Sequence, residues 1–211
     1  MAITVHPTKM DEAIAHAVAR NTNARTEKTA EFVTWGADEN ILTALAFGWW
    51  LFNRSGSSAQ RRDSDHLLIT MLVSAVVPHL LKDVFNQERP DRLTVLGHLR
   101  GIPLSGNRLD AFPSGHAIHV GALASAATEL PSGQRNLVWG IGAGLVLTRV
   151  VLLAHWTTDV LSGLVMGAGI ERLLRFVTGF GRLRRGSDVN RPDRPRGCVD
   201  RPRERRRGPI V

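Results

Sequence analysis

The sequence has no tyrosine and a single cysteine, Cys198, so no internal disulfide can staple it. Between Met1 and Arg20 there is no apolar core followed by a small-residue cleavage site, and no cleaved secretory signal is expected there. Uninterrupted apolar runs of the roughly 20 residues that a bilayer asks of a helix are also missing. The nearest is 137–154, with Arg149 as its only charge. Net charge is absent from most of the chain. From Glu171 onward there are 13 arginines against 5 acids, while the residues before hold 14 basic and 14 acidic side chains, so the formal +8 lies wholly in the last stretch. Mean hydropathy is close to zero because polar ends dilute an apolar middle.

That middle contains five apolar segments: Ile41 to Phe52, Leu67 to Leu81, Ala117 to Leu130, Leu137 to Ala154 and Val160 to Ile170. Their lengths and compositions predict helices, with small residues in the third allowing close helix packing. Polar loops are expected over 53–66 and 131–136. Ahead of them, Thr8-x-x-Asp11 reads as a capping box, and Ala13, Ile14, Ala17 and Val18 form one stripe of a short amphipathic helix over about 9–20. That helix either lies on a membrane surface or packs on the protein's own body. The expected organisation is an N-terminal segment over 1–35, a helical membrane-embedded domain over 36–180, and a disordered Arg-, Pro- and Gly-rich tail over 181–211.

Three stretches carry chemistry. Ala111 to His116 reads Ala-Phe-Pro-Ser-Gly-His, a turn opening a helix whose N-terminus offers free N–H groups to an anion. His116 would stand beside that anion, placed to move a proton. Upstream, Lys82 and Arg89-Pro90 supply two cations seven residues apart, which share a helix face if the helix continues. Downstream come Thr148-Arg149, five residues, His155, three residues and Asp159. Three cations, two histidines, one carboxylate and a Gly-turned helix start suit phosphoryl transfer, where charge spread over equatorial oxygens must be met by fixed donors.

Lys-x6-Arg-Pro, Pro-Ser-Gly-His and Thr-Arg-x5-His-x3-Asp, in this order, resemble the motifs of the type 2 phosphatidic acid phosphatases. These are membrane lipid phosphatases related to class A acid phosphatases and vanadium haloperoxidases. The resemblance covers Lys82 to Asp159, with Thr148 standing where serine is usual. It implies an all-α phosphatase-type bundle of about five apolar helices. It also implies that His155 is the nucleophile, oriented by Asp159 one turn on, and that His116 is the general acid and then the base. Lys82, Arg89 and Arg149, with Ser114 and Gly115, would hold the phosphate oxygens. The site would face outward from a multi-pass inner-membrane protein with its basic tail in the cytoplasm. That sidedness agrees with Arg54, Arg61, Arg62, Arg135 and the tail on the opposite side, although Arg89, Arg92, Arg100 and Arg108 reduce the asymmetry.

The implied substrate is a lipid phosphate monoester, such as phosphatidic acid or phosphatidylglycerophosphate, or an isoprenyl diphosphate. No cofactor and no nucleic-acid partner are expected, and the sequence does not give the oligomeric state. Two alternatives stand beside this reading. One is a vanadate-binding, haloperoxidase-like protein; the other is a non-catalytic binder of anionic lipid or nucleic acid through the basic tail. His-x3-Asp differs from the His-x4-Asp spacing of acyltransferases. A metal site is disfavoured, since the motifs set three cations against two histidines and one aspartate. Turnover should therefore survive rigorous chelation with EDTA, and its loss would contradict this reading.

Overall fold

The computed structural model describes residues 3–90 and 109–181. The expected disordered tail over 182–211, and the loop that carries Arg92, Arg100 and Arg108, lie outside the described residues. Among the described residues seven α-helices dominate: α1 (Lys9–Asn21), α2 (Ala24–Thr34), α3 (Glu39–Phe52), α4 (Ser58–Lys82), α5 (Gly115–Ala126), α6 (Ser132–Val151) and α7 (Thr157–Thr178). Two dipeptide strands, β1 (Ile3–Thr4) and β2 (Phe85–Asn86), pair in parallel.

Helix starts follow the capping chemistry of the sequence. Thr8 and Asp11 form the expected capping box of α1. Asn23 and Asp38 each accept two backbone N–H groups at the starts of α2 and α3. Ser57 and Gln60 form a second capping box, so α4 begins within the segment expected to be a polar loop and runs for 25 residues. The expected turn over 131–136 is likewise helix, because Pro131 precedes its first position and cannot break a helix there. Helix α2 was not expected; its polar sequence shows little apolar stripe, and the Asn23 cap is its clearest signal. The five apolar segments supply α3 to α7, the third running on through a 3-10 turn at Ala127–Glu129 and the fourth into the reversal after Val151. Of these helices α4 alone, among the described residues, is long and apolar enough to cross a membrane by length and composition.

The amphipathic stripe of α1 is rotated from the expected one. Asp11, Ala15 and Ala19 are buried, while Ala13 and Ala17 face outward. Ala15 and Ala19 pack on Ala111, Leu153 and Trp156, so of the two alternatives for this helix the structure shows packing on the protein body.

Helices α5 and α7 are the centre of the bundle. A Cβ on Gly167 would lie 1.9 Å from the Ile118 carbonyl oxygen, and one on Gly121 would lie 2.2 Å from that of Leu164. Gly163 sits as tightly against Ser114, whose carbonyl oxygen would be 2.7 Å from an added Cβ. The two backbones therefore touch, and the start of α5 is seated on the first half of α7. At the far end, His66 of α4, Ser125 of α5 and Arg175 of α7 converge on the buried Glu171 carboxylate. With Gly167 filled by a methyl group, backbone must move. Gly167→Ala should cost about 1–3 kcal/mol or more of unfolding free energy. Gly169→Ala, with nothing within 4 Å, should cost none, as thermal denaturation in detergent will show.

Candidate active site

Four elements end at the same place. Lys82 is the last residue of α4, Ser114 precedes α5, Arg149 lies in the last turn of α6, and His155 stands in the turn before α7. Pro78 in the last turn of α4 rests against Gly115, which brings the α4 end to the Pro-Ser-Gly-His turn.

Arg89 arrives by a different route from the one expected. Helix α4 stops at Lys82, and the chain continues extended rather than helical. The Gln87 N–H donates to Leu109 O (2.8 Å) and the Ala111 N–H donates to Gln87 O (3.1 Å). This bridge sets Arg89 beside Asp110. The Arg89 Nε and Nη2 atoms donate to Asp110 Oδ1 at 3.0 and 2.8 Å, and Lys82 Nζ lies 3.5 Å from Oδ2. Asp110 thus holds two of the three cations together. Sequence reasoning passed over it, although it stands directly before the Ala-Phe-Pro-Ser-Gly-His stretch.

Arg149 is buried at the end of an apolar helix, a costly place for a charge. Its Nη1 donates to Thr34 Oγ1 at 3.3 Å. Its carbonyl accepts the N–H groups of Ala154 (3.0 Å) and His155 (3.4 Å), closing the chain reversal between α6 and α7. Leu153 in that reversal has φ = 53°, a left-handed conformation that costs a leucine of the order of 1 kcal/mol or more and persists where its surroundings impose it.

His155 is almost fully buried. Its Nδ1 lies 2.7 Å from the Ala111 carbonyl oxygen. A carbonyl only accepts, so Nδ1 carries the hydrogen and Nε2 keeps its lone pair. Burial, then the charges of Arg149, Arg89 and Lys82, hold the imidazole well below the usual histidine range, outweighing the Ala111 bond that favours the charged ring. His116, the second residue of α5, is half-buried and lies within electrostatic reach of Arg149, Lys82 and Asp38.

Two expectations about this site change. Asp159 does not orient His155. The two residues are not on one helix, because His155 lies within the 152–156 reversal and α7 begins only at Thr157. Asp159 Oδ2 instead turns back to accept the Trp156 N–H at 2.9 Å, and the ring-orienting acceptor is the Ala111 carbonyl. The Ser114 N–H is engaged too, donating to the Asp159 carbonyl at 3.4 Å. The Ser114 hydroxyl is buried and makes no capping bond. The N–H groups of Gly115, His116 and Ala117 precede the first intrahelical bond, from Ile118 N to Ser114 O, and form the anion-facing end of α5. His119 packs beneath, its Nδ1 3.0 Å from Gly115 O.

The neutral state of His155 has a measurable cost in acid. In the unfolded chain the ring takes a proton below about 6.5, whereas in the folded protein it resists until well below that value. The unfolded state binds more protons in that interval, so folding stability should fall as pH drops through and below 6.5. His155→Gln, which keeps a donor toward Ala111, should flatten this part of the curve of Tm against pH.

Residues 66–180 match the family model described as PAP2 superfamily. Lipid A 1-phosphatases of Rhizobium johnstonii and Rhizobium etli are 34% and 33% identical to it over 113 residues, or 53% of this chain and 46% and 49% of theirs. The chain thus spans about half the length of the curated relatives it matches. Among solved structures, that of Aquifex aeolicus LpxE aligns with a TM-score of 0.66 at 14% identity, covering 82% of this chain and 98% of the other. A transmembrane PAP2 type phosphatidylglycerolphosphate phosphatase from Bacillus subtilis aligns with a TM-score of 0.56 at 20% identity, covering 81% and 85%. Both likenesses are of fold. The family match spans α4 to α7 and takes in all three motifs; the chain belongs to the PAP2 superfamily.

Proposed function

We propose that this protein is a membrane-embedded phosphatase that removes a phosphate monoester from a lipid through a phosphohistidine at His155. The observation that carries the reading is the setting of His155: a buried ring whose Nδ1 donates to the Ala111 carbonyl, where burial and three nearby cations oppose its charged form and so favour a lone pair on Nε2. Nε2 attacks phosphorus as the ester P–O bond breaks, and the leaving alkoxide takes a proton from His116. Lys82, Arg89 and Arg149, the Ser114 hydroxyl and the Gly115 N–H meet the charge on the equatorial oxygens. The phosphorylated ring is cationic, and the Ala111 carbonyl stabilises it through Nδ1–H. His116, now neutral, takes a proton from water as it attacks; the P–N bond breaks, inorganic phosphate leaves and His155 is restored. Asp159 supports this chemistry by fixing the start of α7.

Residues 36–180 form the catalytic domain in this reading. Its outward surface carries large apolar side chains on several helices, among them Leu45, Leu72, Val76, Ile141, Val165 and Phe176, as expected of helices that meet acyl chains. The site lies at the extracytoplasmic end and the Arg-rich tail in the cytoplasm, because the opposite end of the bundle holds Arg54, Arg61, Arg62 and Arg135. Similarity to lipid A 1-phosphatases favours a glycolipid phosphate monoester over an isoprenyl diphosphate.

The test is phosphate release by the detergent-purified protein from lipid A 1-phosphate, phosphatidic acid, phosphatidylglycerophosphate and undecaprenyl diphosphate. The first is expected to be hydrolysed fastest, with His155→Ala lowering kcat by about 10³-fold or more. Wild-type turnover by the folded His155→Ala protein would remove the nucleophile assignment. Inactivity toward all four lipids would remove the lipid phosphatase reading.

A further inference from the structure

The N-terminal segment lies outside the family match, yet it touches the chain around all three motifs. Strand β1 pairs with β2 between Lys82 and Arg89, with Ile3 opposite Phe85 and Thr4 opposite Asn86. Ala15 and Ala19 of α1 pack on Ala111, Leu153 and Trp156, the residues that flank His155 or bond to it. The deepest of these contacts is polar. The buried Asp11 carboxylate accepts the Thr8 N–H (2.9 Å) and hydroxyl (2.7 Å) at the start of its own helix. It also accepts the Thr158 N–H (3.0 Å, to Oδ1) and the Thr158 hydroxyl (2.9 Å, to Oδ2) in the first turn of α7. These four bonds outweigh the burial that opposes charge and hold the Asp11 carboxyl below its usual range.

Asp11 is therefore a cap on a helix whose second residue, Thr158, lies 147 residues away in sequence. A first-turn N–H of α7 has no acceptor within its own helix, and a fixed negative charge there is favoured by the helix dipole. What lies just ahead of that turn is the 152–156 reversal, with Leu153 in its strained conformation and His155 at its exit. A strained segment keeps one geometry when its neighbours over-determine it. Here the neighbours are the Arg149 carbonyl on one side, and Ala15, Ala19 and the Asp11 cap on the other.

We propose that Asp11 is a positioning residue for the reaction: by capping α7 through Thr158 it fixes the 152–156 turn and so the line along which His155 Nε2 meets phosphorus. The inference rests on His155 being the nucleophile. Asp11 bonds to Thr8 and Thr158, and not to His155, Lys82, Arg89 or Arg149. Its loss should therefore slow the phosphoryl step while leaving anion and lipid binding intact, since misplacement by about 1 Å costs about 10²-fold in rate.

The experiment uses the full chain in detergent micelles with lipid A 1-phosphate as substrate and orthovanadate as the binding probe. Asp11→Ala, Asp11→Asn, Thr158→Val and Thr158→Ser are compared with wild type and with His155→Ala, every rate being divided by the folded fraction. Asp11→Ala is expected to lose about 10²-fold in kcat. Its KM and vanadate Kd should stay within about two-fold of wild type, the mark of an interaction realised only in the chemical step. Asp11→Asn and Thr158→Val should fall between, and Thr158→Ser, which retains both bonds to Asp11, should match wild type. A lower Tm with unchanged kcat per folded molecule would make Asp11 merely structural and overturn the proposal. So would a rise in KM or vanadate Kd at constant kcat. If Asp11→Ala does not fold, Thr158→Val and Asp11→Asn decide in its place. Should His155→Ala turn over normally, the nucleophile assignment itself fails; an inactive His155→Ala beside fully active Asp11 and Thr158 variants refutes only the positioning role.

Discussion

Everything at this site depends on two helices whose backbones touch. Residues with side chains at positions 121, 163 and 167 would push α5 and α7 apart, and the Pro-Ser-Gly-His turn would leave the turn that carries His155. Contact at this distance also lets the Asp159 carbonyl receive the Ser114 N–H, so the two motif segments are joined by a backbone bond as well as by packing. The other cations are brought in around this pair, Lys82 by the end of α4 and Arg149 by the end of α6. The far end is tied by chemistry of the opposite kind. Glu171 is fully buried among His66, Ser125 and Arg175, and a buried carboxylate of this sort is stable only while every partner stays in place. Apolar contact near one end and a closed polar cluster at the other keep three helices in register.

Most of the helices were legible in the sequence, because each apolar segment is too long for an ordinary buried strand, even where α5 and α6 start without a side-chain cap. The errors have physical causes. Ser57 and Gln60 form a capping box ahead of a polar first turn, and polarity there was read as loop. The polar stretch 131–136 has the composition of a turn, though Pro131 stands where a helix loses nothing by lacking an N–H. The stripe of α1 expected over Ala13, Ile14, Ala17 and Val18 is centred one position away from the buried face of Asp11, Ala15 and Ala19, since a close approach wants small residues and a cap wants a carboxylate.

The residues of the site were legible as a set, but their relations were not. Spacing places residues along one helix; it cannot foresee a chain that leaves the helix between them. Arg89 was referred to the face of Lys82, and reaches its place through an extended bridge. Asp159 was referred to His155, and caps its own helix because the reversal at 152–156 turns the ring toward Ala111. The orienting acceptor is a main-chain carbonyl, which has no letter in a sequence. Asp110 and Asp11 were visible as acids, but only folding shows that one faces two cations and the other the start of α7.

The pairing of Asp110 with Lys82 and Arg89 has a consequence for traffic through the site. Two cations that already share a counter-ion never stand bare to solvent. In the proposed reaction an arriving phosphate would displace a carboxylate rather than a shell of water, and that same carboxylate would replace the departing phosphate. The exchange is of one anion for another at nearly constant local charge. A phosphatase site built in this way would give up some hold on its ligand, and inorganic phosphate would compete for it correspondingly weakly.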